Sequence, residues 1–259
     1  MSTYQTDALE NADDRALRSA PGSGVWCVDA STGALHRLTH EGFDWVCVDM
    51  QHGRYGRGDL IDIARGWDHD AAQLAVRVPS AGFSSIGLVL DVGADIVVVP
   101  MVNSVADARA CVEAAFYPPL GRRSAGQLQP TWGAPGRGVA NANSGICCAV
   151  MIESTAGLNA VEEIAAIPGV GMLFVGPNDL ALSLGTSVSG LLDDTSGASA
   201  LGRIVEAARV NDVQIGAYAG DPGTGRRFRQ RGFQTIAVAT DMWLLQQGAL
   251  AALTATPPE

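Results

Sequence analysis

Short runs of apolar, mostly β-branched residues recur along the chain, and each is followed by a stretch with helical character. The runs are GVWCVDA from Gly24, WVCVDMQ from Trp45, LAVRV from Leu74, IVVVPMV from Ile96, CCAVMIE from Cys147, GMLFVGP from Gly171, QIGAYAG from Gln214 and TIAVATD from Thr235. They are continuous rather than alternating, which means burial on both faces, as in a parallel sheet covered by helices. Amphipathic stretches lie between them, among them SVADARACVEAAF from Ser104, GLNAVEEIAAI from Gly157 and ASALGRIVEAARV from Ala198. Eight strand–helix repeats predict an α/β fold closed into a (β/α)8 TIM barrel, with an open doubly wound sheet as the alternative. No GxGxxG follows the first run, which weakens the dinucleotide-binding form of that alternative. Three segments fall outside the repeat. The first 20 residues read as a helix or arm outside the barrel, and residues 186–197 read as an exposed loop. Residues 117–144, rich in Pro, Gly, Arg and Gln, are expected to form a long loop over the barrel mouth.

Composition narrows the picture. At 259 residues and 47% apolar, the chain matches one complete barrel, so residues 1–259 read as a single domain with an N-terminal extension and a C-terminal helix. The formal charge is -10 and the arginines are scattered, which argues against a nucleic-acid groove or an anionic membrane face. No run of about 18 apolar residues could span a membrane. The polar, acidic start MSTYQTDALENADDR is unlike a secretory signal, so a cytoplasmic protein is expected. The odd number of cysteines (Cys27, Cys47, Cys111, Cys147, Cys148) fits buried thiols rather than a disulfide frame. All 17 basic residues are arginine. Without lysine, Schiff-base catalysis, lysine-anchored pyridoxal phosphate and a standard P-loop are excluded.

In such a barrel the active site lies at the C-terminal ends of the strands. The second run ends in Asp49-Met50-Gln51-His52, the third contains Arg77, the fifth ends in Glu153 and the sixth leads into Asp179. Glu153 and Asp179 form a carboxylate pair suited to Mg2+ or Mn2+, although loop amides and arginines could satisfy it instead. Around Gly176-Pro177-Asn178-Asp179, a turning backbone before an apolar helix start offers N–H groups to a substrate carboxylate. His52 is the candidate general base, because its unperturbed pKa lies near neutrality. His36, His40 and His69 fall in helical or loop stretches and read as structural. Arg77 needs an anionic partner, either Asp49 or a carboxylated ligand. Its guanidinium can hold a keto acid by two parallel hydrogen bonds and stabilise an enolate.

Several longer motifs occur in order: EGFDWVCVDMQHG (Glu41–Gly53), LDVGADIVVVPMV (Leu90–Val102), AFYPPLGRRSAG (Ala115–Gly126), VMIES (Val150–Ser154) and VGPNDLALSLG (Val175–Gly185). By these the chain resembles the HpcH/HpaI aldolases, metal-dependent enzymes of the pyruvate and phosphoenolpyruvate barrel group, over nearly everything from Gly24 to Leu250. The resemblance implies His52 as base, Asp91 as the carboxylate that raises its basicity, and Arg77 as the group that binds substrate and stabilises the enolate. It implies Glu153 and Asp179 as ligands of Mg2+ or Mn2+, with the backbone of Asn178 and Asp179 against the substrate carboxylate. Arg123 lies in the family's loop pattern, with a loop salt bridge as the equal alternative. Two positions depart from the family: Gln51 stands where Glu is usual, and Met151 where Gln is frequent. The first removes a charge beside base and metal and the second a polar contact to the keto acid, so both bear on the choice of substrate.

The implied function is a metal-dependent aldolase making or breaking a C–C bond in a 4-hydroxy-2-keto acid, with a 2-keto acid and an aldehyde as partners. Decarboxylation of an oxaloacetate-like acid, biosynthetic C–C bond formation, and a barrel that binds keto acids without turnover are the alternatives. The resemblance also implies a hexamer that exchanges a C-terminal helix, with the apolar run from Trp243 to Leu253 as the contact.

Overall fold

β-Branched and aromatic residues fill the strands that the apolar runs predict, and each strand pairs in parallel with the next. The computed structural model describes residues 22–133 and 141–255; the expected N-terminal arm lies outside them. The strands are β1 (Ser23–Cys27), β2 (Trp45–Asp49), β3 (Gln73–Arg77), β4 (Ile96–Val99), β5 (Cys147–Ile152), β6 (Met172–Val175), β7 (Gln214–Tyr218) and β8 (Thr235–Thr240). Pairing of β8 with β1 closes the sheet, giving the (β/α)8 barrel.

The described helices are α1 (Thr32–Leu38), α2 (Arg57–Arg65), α3 (Phe83–Asp91), α4 (Val105–Ala115), α5 (Thr155–Asn159), α6 (Val161–Ala165), α7 (Pro177–Ser183), α8 (Val188–Asp193), α9 (Ala200–Val210), α10 (Pro222–Gln230) and α11 (Asp241–Ala255). Serines define several starts: Ser31, Ser104, Ser154, Ser187 and Ser199 each accept a hydrogen bond from a first-turn N–H. None of the described helices is long and apolar enough to cross a membrane.

Side chains alternate across each strand, so one set packs under the helices and the other fills the barrel. Val46, Val48, Leu74, Val76, Val97 and Val99 belong to the outer layer. Trp26, Trp45, Cys47, Ala75, Ile96, Met151, Met172 and Phe174 belong to the inner one. The large inner rings fit because their neighbours are small. A Cβ on Gly24 would lie 2.1 Å from the Trp45 ring, and one on Gly216 would lie 2.6 Å from Phe174. Trp45 meets Phe174 edge-on at 6.3 Å, and Trp26 lies 5.7 Å from the same ring.

The structure departs from the sequence pattern in three places. The helix expected from Gly157 is two short helices, α5 and α6, divided at Ala160. The loop expected over residues 186–197 contains α8, because Leu191 and Leu192 find apolar cover there. Of the segment over residues 117–144, the described residues, 117–133 and 141–144, do not cover the mouth. The segment follows α4, which runs back toward the N-terminal end of the strands, and its described residues pack at that end. Leu128 N donates to the Asp91 carbonyl, the Gln129 side chain lies against Gly93, and Asn143 pairs with the backbone of Tyr117.

Because Gly24 leaves no room for a methyl group beside Trp45, Gly24→Ala should destabilise the barrel by about 1–3 kcal/mol. Equilibrium urea unfolding measures this. An unchanged midpoint would show that the inner layer relaxes freely.

Candidate active site

The inward alternation continues past the apolar layer, so the residues at its upper edge are the ones that face the barrel mouth. On β2 the series Trp45, Cys47 ends in Asp49; on β3, Ala75 is followed by Arg77; on β5, Met151 is followed by Glu153. Asp49 and Arg77 are register partners across β2 and β3. Arg77 Nε donates to Asp49 Oδ1 at 2.8 Å, and its Nη2 pairs with Oδ2. Two-pronged pairing of this kind fixes the guanidinium plane. The indole Nε1–H of Trp26 donates to the same carboxylate at 3.1 Å, while its ring lies 5.1 Å from the Arg77 guanidinium carbon. Asp49 and Arg77 are only 1% and 8% exposed.

Burial alone would raise the Asp49 carboxyl, but the Arg77 hydrogen bonds and charge, with the Trp26 N–H, hold it below the ordinary range. Burial likewise works against charge on Arg77, and Asp49 outweighs it and raises the guanidinium. Asp49 Oδ1 also accepts the N–H groups of Gln51 and His52, at 2.9 and 3.2 Å. One carboxylate therefore anchors the arginine and shapes the turn that presents His52.

Opposite this pair, Glu153 is 3% exposed at the end of β5 and Asp179 is exposed in the first turn of α7. Glu153 Oε1 accepts the backbone N–H of Met101 at 2.6 Å. Its Oε2 occupies the space beside Gly176, where a Cβ would lie 2.4 Å away. Burial pushes the Glu153 carboxyl above the ordinary range and the Asp179 charge adds to this, against the Met101 N–H, Arg77 and His52. These groups line one cleft of about 220 Å3. Its polar lining is Asp49, His52, Arg77, Glu153, Asn178 and Asp179, and Trp26, Val28, Met151, Pro177 and Tyr218 line it with apolar surface. The His52 side chain is exposed at the mouth, and among the described residues its ring has no hydrogen-bond partner.

The model of the HpcH/HpaI aldolase/citrate lyase family matches residues 22–247. The chain belongs to that family. It is 37% identical over 258 residues to a hydroxypyruvate/pyruvate aldolase of Paraburkholderia phytofirmans, covering 95% of this chain and 96% of that one. It is 33% identical to a 2-dehydro-3,6-dideoxy-6-sulfogluconate aldolase of Pseudomonas putida, covering 90% and 91%. A crystal structure of an HpcH/HpaI aldolase/citrate lyase family protein from Burkholderia cenocepacia superposes with a TM-score of 0.81 at 30% identity, covering 97% and 98%. The protein is a carbon–carbon lyase, an aldolase of this family.

Within this HpcH/HpaI aldolase, the polar residues expected at the strand ends share one cleft, and two others do not. Asp91 closes α3 at the opposite end of the barrel from His52, so in one chain it cannot support that histidine. Arg123 is there too: its Nη2 pairs with Asp91 Oδ1 at 2.7 Å and its guanidinium lies 4.7 Å from the centroid of the Tyr117 ring. Gln51 stands beside the turn rather than in the cleft wall, with its Oε1 buried and unpartnered. Met151 lies at the cleft floor, 3.0 Å from where a Gly176 Cβ would be. Sequence reading missed Trp26, Val28 and Tyr218, although inward alternation on β1 and β7 points to them. It also missed Met101, whose role is carried by its backbone.

Removing Asp49 strands a buried arginine, so Asp49→Ala should cost about 3–5 kcal/mol of stability near neutral pH. With the folded-state pKa below the unfolded value of about 3.9, the pair's stabilisation is fully present above that value and is lost as pH falls through the folded one. The stability gap between wild type and Asp49→Ala should therefore narrow below about pH 4. Urea unfolding at several pH values measures it, and a gap that stays constant into acid would contradict the pairing.

Proposed function

We propose that the protein is a divalent-metal-dependent aldolase that forms or cleaves a C–C bond in a 4-hydroxy-2-keto acid through a pyruvate-type enolate. The observation that carries this reading is the convergence of a fixed buried arginine, an exposed histidine and two carboxylates on one small cleft. The name of the 37% identical relative supports pyruvate or hydroxypyruvate as the keto-acid partner, and the cleft volume suits a molecule of that size.

The donor set fits a hard cation. Glu153 and Asp179 come from the ends of neighbouring strands and line the same cleft, Gly176 leaves space for Glu153 Oε2, and no third His, Cys, Asp or Glu joins them among the described residues. Mg2+ or Mn2+ takes one or two carboxylates and completes its shell with waters and substrate oxygens. When bound, such an ion supplies Lewis-acid polarisation of a carbonyl oxygen. Arg77, unable to swing away from Asp49, offers its remaining N–H groups to the keto-acid oxygens and to charge that develops on the enolate. Pro177 lacks an N–H, so the backbone of Asn178 and Asp179 is left to meet the substrate carboxylate. His52, exposed in the same cleft, takes the proton of the aldol hydroxyl and returns it in the synthetic direction.

A homo-oligomer completes this reading. Helix α11 buries none of its residues and exposes Met242, Leu245, Leu250 and Leu253, a surface suited to exchange between copies. Asp91 acts on a histidine only if a second copy brings its N-terminal face to this mouth. All five cysteines are buried and unpaired, which supports a reducing compartment such as the cytoplasm.

With no lysine in the chain, borohydride added with pyruvate should leave activity intact, whereas exhaustive chelation should abolish it and Mg2+ or Mn2+ restore it. Full turnover after chelation would sink the metal mechanism. His52→Ala should slow retro-aldol cleavage by about 100-fold or more while the fold, followed by circular dichroism, is unchanged. Wild-type cleavage rates would remove His52 from the reaction.

A further inference from the structure

We propose that Met101 is a positioning residue for the metal site, acting through a left-handed backbone that fixes which oxygen of Glu153 is free. This rests on the reading of Glu153 and Asp179 as metal ligands. Met101 follows β4 and Pro100, and its φ of 56° places it in the left-handed region that bulky side chains rarely adopt. Its side chain does not explain the choice, since half of it is exposed and it lines no wall of the cleft. What the conformation achieves is the aim of its N–H at Glu153 Oε1, 2.6 Å away.

Such a conformation persists only where its surroundings hold it, and here they do. Asn103 N donates to Asp107 Oδ2 at 3.1 Å, and the Ser154 hydroxyl, next to Glu153, donates to Asn103 Oδ1. The Val102 carbonyl sits where a Cβ on Gly157 would come within 2.6 Å, so α5 backs the same loop. The β4–α4 loop is thus tied to Glu153 and to the residues that follow it, Ser154 and Gly157. With Oε1 occupied by the amide and no other hydrogen bond to Glu153 among the described residues, Oε2 is left as the single oxygen directed to a cation. A carboxylate otherwise free to rotate becomes a one-oxygen ligand of fixed direction.

The test compares Met101→Gly, which keeps the N–H and adopts this φ without cost, with Met101→Val, whose β-branch opposes it. Mn2+ alone is titrated into metal-free protein by calorimetry, with metal-free thermal unfolding measured beside it. Met101→Gly should bind Mn2+ within about twofold of wild type, and Met101→Val about tenfold more weakly, the scale of a lost hydrogen bond to a charged group. If Met101→Val does not fold, Asn103→Ala replaces it, because it releases the Ser154 contact and leaves Met101 in place. Weakened Mn2+ binding by either variant supports the assignment. Folded Met101→Val, or Asn103→Ala in its stead, with wild-type affinity overturns it while leaving the metal site standing. Wild type that binds no Mn2+ overturns the metal reading, and this inference with it.

Discussion

A guanidinium inside a barrel strand is the constraint around which this site is built. Arg77 would be costly to bury alone, and Asp49 makes its burial tolerable by sitting directly across the β2–β3 ladder. The same pairing removes the freedom of a long side chain, because both prongs of the carboxylate are engaged. Trp26 closes the third side, donating to the carboxylate and lying against the cation. From Asp49 the constraint spreads into the turn that carries His52. The positions of a cation and a candidate base are thus set by one buried anion.

The opposite wall uses a different device. Glu153 is buried enough that its charge is disfavoured, and the nearby Asp179 adds to the disfavour. The amide of Met101 holds one of the Glu153 oxygens, and the absence of a side chain at Gly176 leaves room for the other.

Much of this is legible in the sequence. Apolar runs without alternation marked all eight strands, and polar residues interrupting them marked Asp49, Arg77, Glu153 and Asp179. The described part of residues 117–144, expected over the mouth, lies elsewhere for a topological reason. That segment follows a helix, and the connection from a helix to the next strand lies at the N-terminal face of a barrel. The same reasoning removes Asp91 from the chain's own cleft, since it closes α3. Trp26 and Tyr218 were visible only through the parity of their strands. Met101 had no signal in residue type, because left-handed backbone at a methionine is imposed by tertiary contacts and not by the side chain.

The central claim is that fixed Arg77 and a metal on Glu153 and Asp179 together stabilise an enolate. Exchange of the pyruvate methyl protons for deuterium, followed by proton NMR without any aldehyde present, reports enolate formation alone. The account predicts exchange with Mn2+ or Mg2+ present, none above background after chelation, and a loss of about 100-fold or more in Arg77→Lys, which lacks the planar fork. Exchange that proceeds equally in metal-free enzyme, or undiminished in Arg77→Lys, would contradict it.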